Sequence, residues 1–396
     1  MSSESHCSPS LSALLERSRK LDSTLYNFNR NHVPMTLIAL QHIKEKLAAG
    51  DGADAILDCY LNDVLDEIDG DSEIPMFGMP QDSIIEITKE NFCAHRGQME
   101  ASTSYLRFLL AELERLDGSF DDLMHLYWPY VHSSIQAEAF HAVLRMAFGL
   151  DAGDVKEAAC GLACMAAGYS PLSTVELELE PPHRSFTGSG PERIQKSLAA
   201  LYANEQLINH KGLLEQDVIE PRQEIFFADP EFLAILPTFE QVDDATLRAI
   251  RLASLELFEK HHDFSILHAV TSTCAVERLK PYLTPEALRV HWAAILAAAA
   301  TREGVLRQKR ADEIPPSIPV CDANRELPLE WPTLAAAMYS TLIEQRKQKL
   351  IPYTTNFEHT IKLLYAAHQE ASRCPELGER YLRIVRRELI SPAPIV

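Results

Sequence analysis

Apolar residues recur at helical spacing through the second half of this chain, in segments 193–207, 243–260, 264–283, 285–301, 331–350, 356–371 and 377–389. Recurrence near 3.6 residues gives each segment one apolar face, which must be buried against another element. Proline-rich joints such as 313–320 separate them. No period with matching signature positions links the segments, so a stacked-repeat solenoid is set aside. A single strand-like alternation, at 174–180, has no second stretch to pair with and does not support a sheet.

The first half reads the same way. Helical patterns fall at 11–21, at 35–49 behind Pro34, at 53–68 and at 99–116. Proline suits a first helical turn, where its missing N–H is harmless. After Asp117-Gly118 the pattern restarts and runs, with a kink at Pro129, through residues 132–150. Asp151 and Asp154 are expected to cap the following helix, 155–167. Two stretches rich in Gly, Pro and acidic residues, 69–91 and 170–190, read as long inserted loops, of the kind that cover or line binding sites. The expected fold is mainly α: one multi-helix domain over 1–396 with inserted loops and a flexible N-terminus at about 1–10.

Charge narrows the partners. The 37 Lys and Arg against 57 Asp and Glu leave a formal charge of −20, which repels a phosphate backbone and argues against nucleic acid. The alanine-rich run 292–301 is too short to span a bilayer, and the polar first twenty residues hold no apolar signal core. Eight dispersed cysteines without a CxxC pair read as thiols in a reducing, cytoplasmic compartment. Cys160 and Cys164 stand one turn apart and could hold a soft metal, but no second pair completes a zinc site, and core packing accounts for them.

Histidine is the main functional signal, at 15 residues. Four lie in apolar helical settings or at a helix start: His32, His141, His268 and His359. On a helix through 132–149, His141 shares a face with Ala137, Leu144 and Phe148 and points inward, whereas His132 falls on the opposite side. Glu138 and Arg145 flank His141 at one turn on either side, candidates for orienting it or meeting a substrate oxygen. A buried imidazole needs a hydrogen bond or a metal, and a core histidine paired with Glu138 or a backbone carbonyl satisfies that need equally well. Asp263 is placed to cap a helix from Phe264, which turns His268 inward. Lys362 lies one turn from His359. It either reaches solvent or, if buried, must lose its proton or find an anion; a neutral buried lysine can add carbon dioxide and become a carboxylate.

At these residues the chain resembles the questin oxidase-like family. The resemblance is carried by Asn31-His-Val-Pro-Met35, Ala139-Phe-His-Ala-Val-Leu-Arg145 with Ala147-Phe-Gly149, the segment 263–272, and His359-Thr-Ile-Lys362, in the family's order. It implies an α-helical oxygenase that opens aromatic polyketide rings, an outcome first described as Baeyer–Villiger-type oxidation. It also implies a mononuclear non-haem Fe(II) centre, with His32, His141, His268 and His359 as ligands and Lys362 as a carboxylated lysine. No flavin or nicotinamide fingerprint is present, in agreement with a metal rather than an organic cofactor.

The reading is therefore an iron-dependent oxygenase acting with O2 on a small hydrophobic aromatic substrate, without nucleic acid or membrane; a homo-oligomer is compatible with it. Two rivals stay open on sequence grounds. One is a metal-dependent hydrolase, since a carboxylated lysine can bridge two metals. The other is a helical interaction scaffold whose histidines are paired core residues.

Overall fold

Capping residues decide where the helices begin. In the computed structural model, Asp263 accepts from the backbone N–H groups of Ser265 and Ile266 at 2.9 and 3.3 Å, and a helix follows it. Asp243 does the same for Thr246 at 2.8 Å, and Ser189 with Glu192 forms a reciprocal capping box. Each cap satisfies amide groups that the first turn leaves without an intrahelical partner.

The structure describes residues 10–19, 32–47, 56, 60, 62, 85–172, 186–210, 212–213, 219–308, 327–348 and 357–393. Among them every regular element is helical. In chain order these are α1 (Leu11–Arg19), α2 (Val33–Leu47), α3 (Ser102–Arg115), α4 (Phe120–Tyr127), α5 (His141–Asp151), α6 (Val155–Ala167), α7 (Gly190–Ala203) and α8 (Glu205–Ile208). There follow α9 (Ile219–Phe227), α10 (Pro230–Ala234), α11 (Asp244–His261), α12 (Phe264–Arg278), α13 (Pro285–Gln308), α14 (Trp331–Lys347), α15 (Phe357–Arg373) and α16 (Gly378–Ile390). The mainly α expectation holds. Expectations for residues 1–9, for the loop parts 69–84 and 173–185, and for most of the proposed helix 53–68 lie outside the described residues.

Two compact units share the chain. The first takes Met1–Ile84, Phe148–Glu157 and Ile318–Pro392; the second takes Ile85–Ala147, Ala158–Ser317 and Ala393–Val396. In the first, α15 packs on α2 and α16, and every residue from 357 to 367 on α15 is buried. The Tyr339 hydroxyl on α14 donates to the Leu40 carbonyl on α2 at 2.8 Å. In the second, α12 packs between α11 and α13, and α11 also meets α7. The Trp292 indole N–H, fully buried on α13, donates to Ser197 Oγ on α7 at 2.7 Å.

Three sequence expectations change here. The helix foreseen across 132–150 is broken: residues 132–134 form a 3-10 turn and α5 starts only at His141. Asp151 ends α5 instead of standing at the start of α6 and accepts from the Tyr365 hydroxyl at 2.7 Å, while Asp154 caps α6 through the Glu157 N–H at 2.9 Å. The segment 219–234, unassigned from sequence, forms α9 and α10, the second capped by Asp229.

Within the second unit, α6 lies against α5 because Gly161 has no side chain. A Cβ there would stand 2.5 Å from the Met146 nitrogen and 2.7 Å from the Ala142 carbonyl oxygen. Both are helix backbone and cannot swing aside. Alanine gains about 1 kcal/mol over glycine in helix propensity, but overpacking of this kind costs about 1–3 kcal/mol. Gly161→Ala is therefore expected to lower stability on balance, read as a fall in the urea midpoint at unchanged m-value; a rise would show that α5 yields without cost.

Candidate metal centre

Four of the five candidate ligands are buried, and their partners fall into one set in each unit. In the first unit His32 immediately precedes α2, and its carbonyl accepts from the Thr36 N–H at 2.9 Å. That helix start fixes its backbone and turns the ring inward, where it is 1% exposed. Its Nδ1 is 2.8 Å from Glu358 Oε2 on α15. The other oxygen of Glu358 accepts from the Tyr60 hydroxyl. His359, the next residue on α15, sets its ring edge-on to His32 with centroids 4.8 Å apart. Lys362 is one turn further on, 1% exposed. The expectation that Lys362 reaches solvent therefore fails, and the buried alternative is the one realised. Burial holds the Lys362 amine well below the usual lysine range and pushes the Glu358 carboxyl up, and each charge partly restores the other.

In the second unit His141 and His268 form the other pair, ring centroids 5.0 Å apart at 73°. His268 lies on α12, and its Nδ1 donates to the Phe264 carbonyl one turn earlier at 2.8 Å. His141 opens α5 and is only partly buried. The three residues before it, Glu138, Ala139 and Phe140, all have left-handed backbone, with φ of 60°, 51° and 70°. For residues with a Cβ this conformation costs roughly 1–2 kcal/mol apiece. The turn is pinned by main-chain bonds from Phe140 to Gln136 and from His141 to Glu138. Ser134 Oγ adds an anchor by accepting from the Ser170 N–H at 2.7 Å. Gly168 leaves the room that the Glu138 side chain fills, since a Cβ there would lie 2.4 Å from Oε1.

The left-handed turn has a chemical result. It brings the Glu138 carbonyl onto His141 Nδ1. Glu138 thus meets His141 through its backbone carbonyl, from a left-handed turn and not from one turn of a continuous helix as expected from sequence. Arg145 does lie on α5, 3% exposed, with Nη1 3.8 Å from Cys164 Sγ. His132, set aside from sequence, lies in its 3-10 turn with Nδ1 3.2 Å from Thr284 Oγ1.

One rule now covers three of the four histidines. A carbonyl oxygen can only accept, so His141 and His268 carry their proton on Nδ1; an ionised Glu358 imposes the same on His32. The lone pair then sits on Nε2, the neutral form in which imidazole ligates a metal, with the opposite nitrogen held by an oxygen. Such donors suit iron, zinc, copper or nickel. Among the described residues, His32, His141 and His359 are histidines that could hold a metal ion, each offering one ring nitrogen.

Glu358 and Tyr60 were not foreseen from sequence. The usable signal for Glu358 was its place next to His359 and four residues before Lys362, which puts carboxylate and amine on one helix face. Tyr60 had no local signal at all. A further buried imidazole, His291 on α13, has Nε2 3.0 Å from Ser272 Oγ, one turn beyond His268, and stands edge-on to Phe140 of the left-handed turn.

A family model described as Questin oxidase-like matches residues 30–367, which include all five candidate ligands. No curated protein matches the chain. No helix among the described residues is long and apolar enough to cross a membrane.

His291 gives a pH test. Fully buried, it is pushed from the ordinary value of 6.5 down to about 3 by desolvation of its cation. The unfolded chain then binds this proton first as pH falls, so the contribution to stability is complete above about 6.5 and is lost progressively toward pH 3. The slope for one such group is at most about 1.4 kcal/mol per pH unit. His42 and His261, held down to about 4 mainly by burial, act in the same direction. Urea midpoints are expected to fall from pH 7 to pH 5, and less steeply in His291→Gln; identical slopes would mean that His291 is protonated in the folded chain.

Proposed function

Because the chain belongs to the questin oxidase-like family, an oxidoreductase family acting on aromatic, polyketide-like substrates, we propose that it is a non-haem iron(II)-dependent oxygenase. Its substrate is a hydrophobic polycyclic aromatic, oxidised with O2 to a ring-cleaved or Baeyer–Villiger-type product. The observation that carries the reading is the shared state of the imidazoles: Nδ1 of His32, His141 and His268 is engaged by Glu358, by the Glu138 carbonyl and by the Phe264 carbonyl. This is the arrangement that prepares Nε2 to ligate.

In this proposal His32, His141, His268 and His359 hold the iron. Lys362 joins them after its neutral amine adds carbon dioxide, forming an N–C bond and releasing one proton. Its burial supports that step, because desolvation keeps the amine in its neutral, nucleophilic form, and a bound cation would offset the anionic carbamate. Bound iron supplies the one-electron chemistry that lets O2 react with a closed-shell aromatic. The protein's own contribution is positional. Glu358 and the two carbonyls fix ring orientation, and the buried faces of α12 and α15 keep bulk water from the ligands. Glu138 and Arg145 act as orienting groups around His141. A reducing, cytoplasmic setting is part of the reading, supported by eight dispersed cysteines without a CxxC pair.

Elemental analysis of protein purified from iron-replete cells is the direct test. About one iron per chain is expected, lost in His359→Ala and His141→Ala. Glu358→Gln is expected to weaken iron binding by about 10–100-fold, the usual cost of losing the partner that orients a ligand. Carbon-13 NMR after growth with labelled bicarbonate should show a carbamate signal that Lys362→Met abolishes. Protein without iron, zinc or manganese, or unchanged metal content in His141→Ala, would refute the ligand assignment.

A further inference from the structure

Asp263 does two jobs at the start of α12, and the second is poorly done. Its Oδ1 is committed to the amide groups of Ser265 and Ile266. Its Oδ2 faces the Arg302 guanidinium of α13, with Nη1 at 3.5 Å. That contact is an ion pair without hydrogen-bond alignment, and both Nε and Nη1 of Arg302 are buried with no acceptor. Among the described residues, Arg302 is the arginine in which two buried nitrogens stand so. Its side chain is 8% exposed, so bulk solvent does little to repair the deficit.

A second cation acts on the same carboxylate. Arg222 of α9, 3% exposed, also pulls on Asp263, and burial pushes the Asp263 carboxyl upward against both arginines. The acid next to Arg302 does not restore the balance, because Glu303 is taken by Lys260 at 2.8 Å and His261 at 3.4 Å. The Arg302 guanidinium thus faces a carboxylate already spent on a helix cap, with the Arg222 charge acting on that same carboxylate. A buried cation with unmet donors is costly, and the group that removes the cost is an anion with several acceptor lone pairs.

We propose that Arg302, together with Arg222, binds a single oxyanion, a carboxylate or a phenolate, beside the N-terminal turn of α12. The site lies five residues before His268 in sequence and does not depend on the metal reading. Arginine recognises such oxygens through planar, charge-assisted hydrogen bonds, which a halide meets less well. The oxyanion comes either from a small free carboxylate or from the ionised hydroxyl of a phenolic aromatic.

Calorimetric titration of the full chain with sodium formate, at fixed ionic strength, tests the site. One-site saturable binding is expected, weakened about tenfold or more in Arg302→Met and less in Arg302→Lys, which keeps the charge but loses the planar donors. The exposed Lys347→Met should bind as the parent does. A hydroxyanthraquinone, added above its phenol pKa, tells the sources apart: competition with formate assigns the site to the phenolate, and binding without competition assigns it to a small carboxylate. Should Arg302→Met fail to fold, Arg222→Met carries the same expectation of weakened binding. Absence of saturable formate binding by the parent chain, or equal affinity in the folded arginine variants, overturns the proposal.

Discussion

An imidazole taken out of water has two nitrogens to account for, and the candidate centre is organised by how that account is settled. Leaving either one unmet costs on the order of 1–3 kcal/mol. The second unit engages Nδ1 of His141 and of His268 with main-chain carbonyls, and the first engages Nδ1 of His32 with a carboxylate. Everything else follows from making those oxygens available. The left-handed residues 138–140 deliver one carbonyl, the ordinary helical geometry of α12 delivers another, and Tyr60 steadies the carboxylate.

Burying Glu358 and Lys362 one turn apart belongs to the same economy of charge. Neither group is stable alone in so dry a place, and removal of one would leave an uncompensated ion. The helix that holds them is buried on nearly every side over its first three turns, which explains why its pattern reads as core rather than as a half-wet surface helix.

Much of this was legible in the chain itself. Asp263 announced its helix because a short acidic side chain reaches the first free amides, and the apolar spacing of 264–283 and 356–371 marked His268 and His359 as the inward histidines. The same logic failed at 132–140. Glu138, Ala139 and Phe140 continue an apolar helical pattern, and no glycine or asparagine marks the reversal of backbone hand. That conformation is imposed from outside, by Ser170 on Ser134 and by the space beside Gly168, contacts thirty or more positions away in sequence. Tyr60 and Glu358 meet across almost three hundred positions, beyond the reach of any local pattern.

The two kinds of acceptor differ in what substitution can do to them. A main-chain carbonyl is encoded by no particular residue, so the ring orientation of His141 and His268 survives exchange of the side chains at 138 and 264, provided that the backbone keeps its path. His32 relies on a side chain, and a single base change at position 358 can abolish its acceptor. Sequence drift can therefore retune one imidazole while leaving two untouched, which makes position 358 the point at which related chains are free to diverge in the strength of that donor without rebuilding a helix.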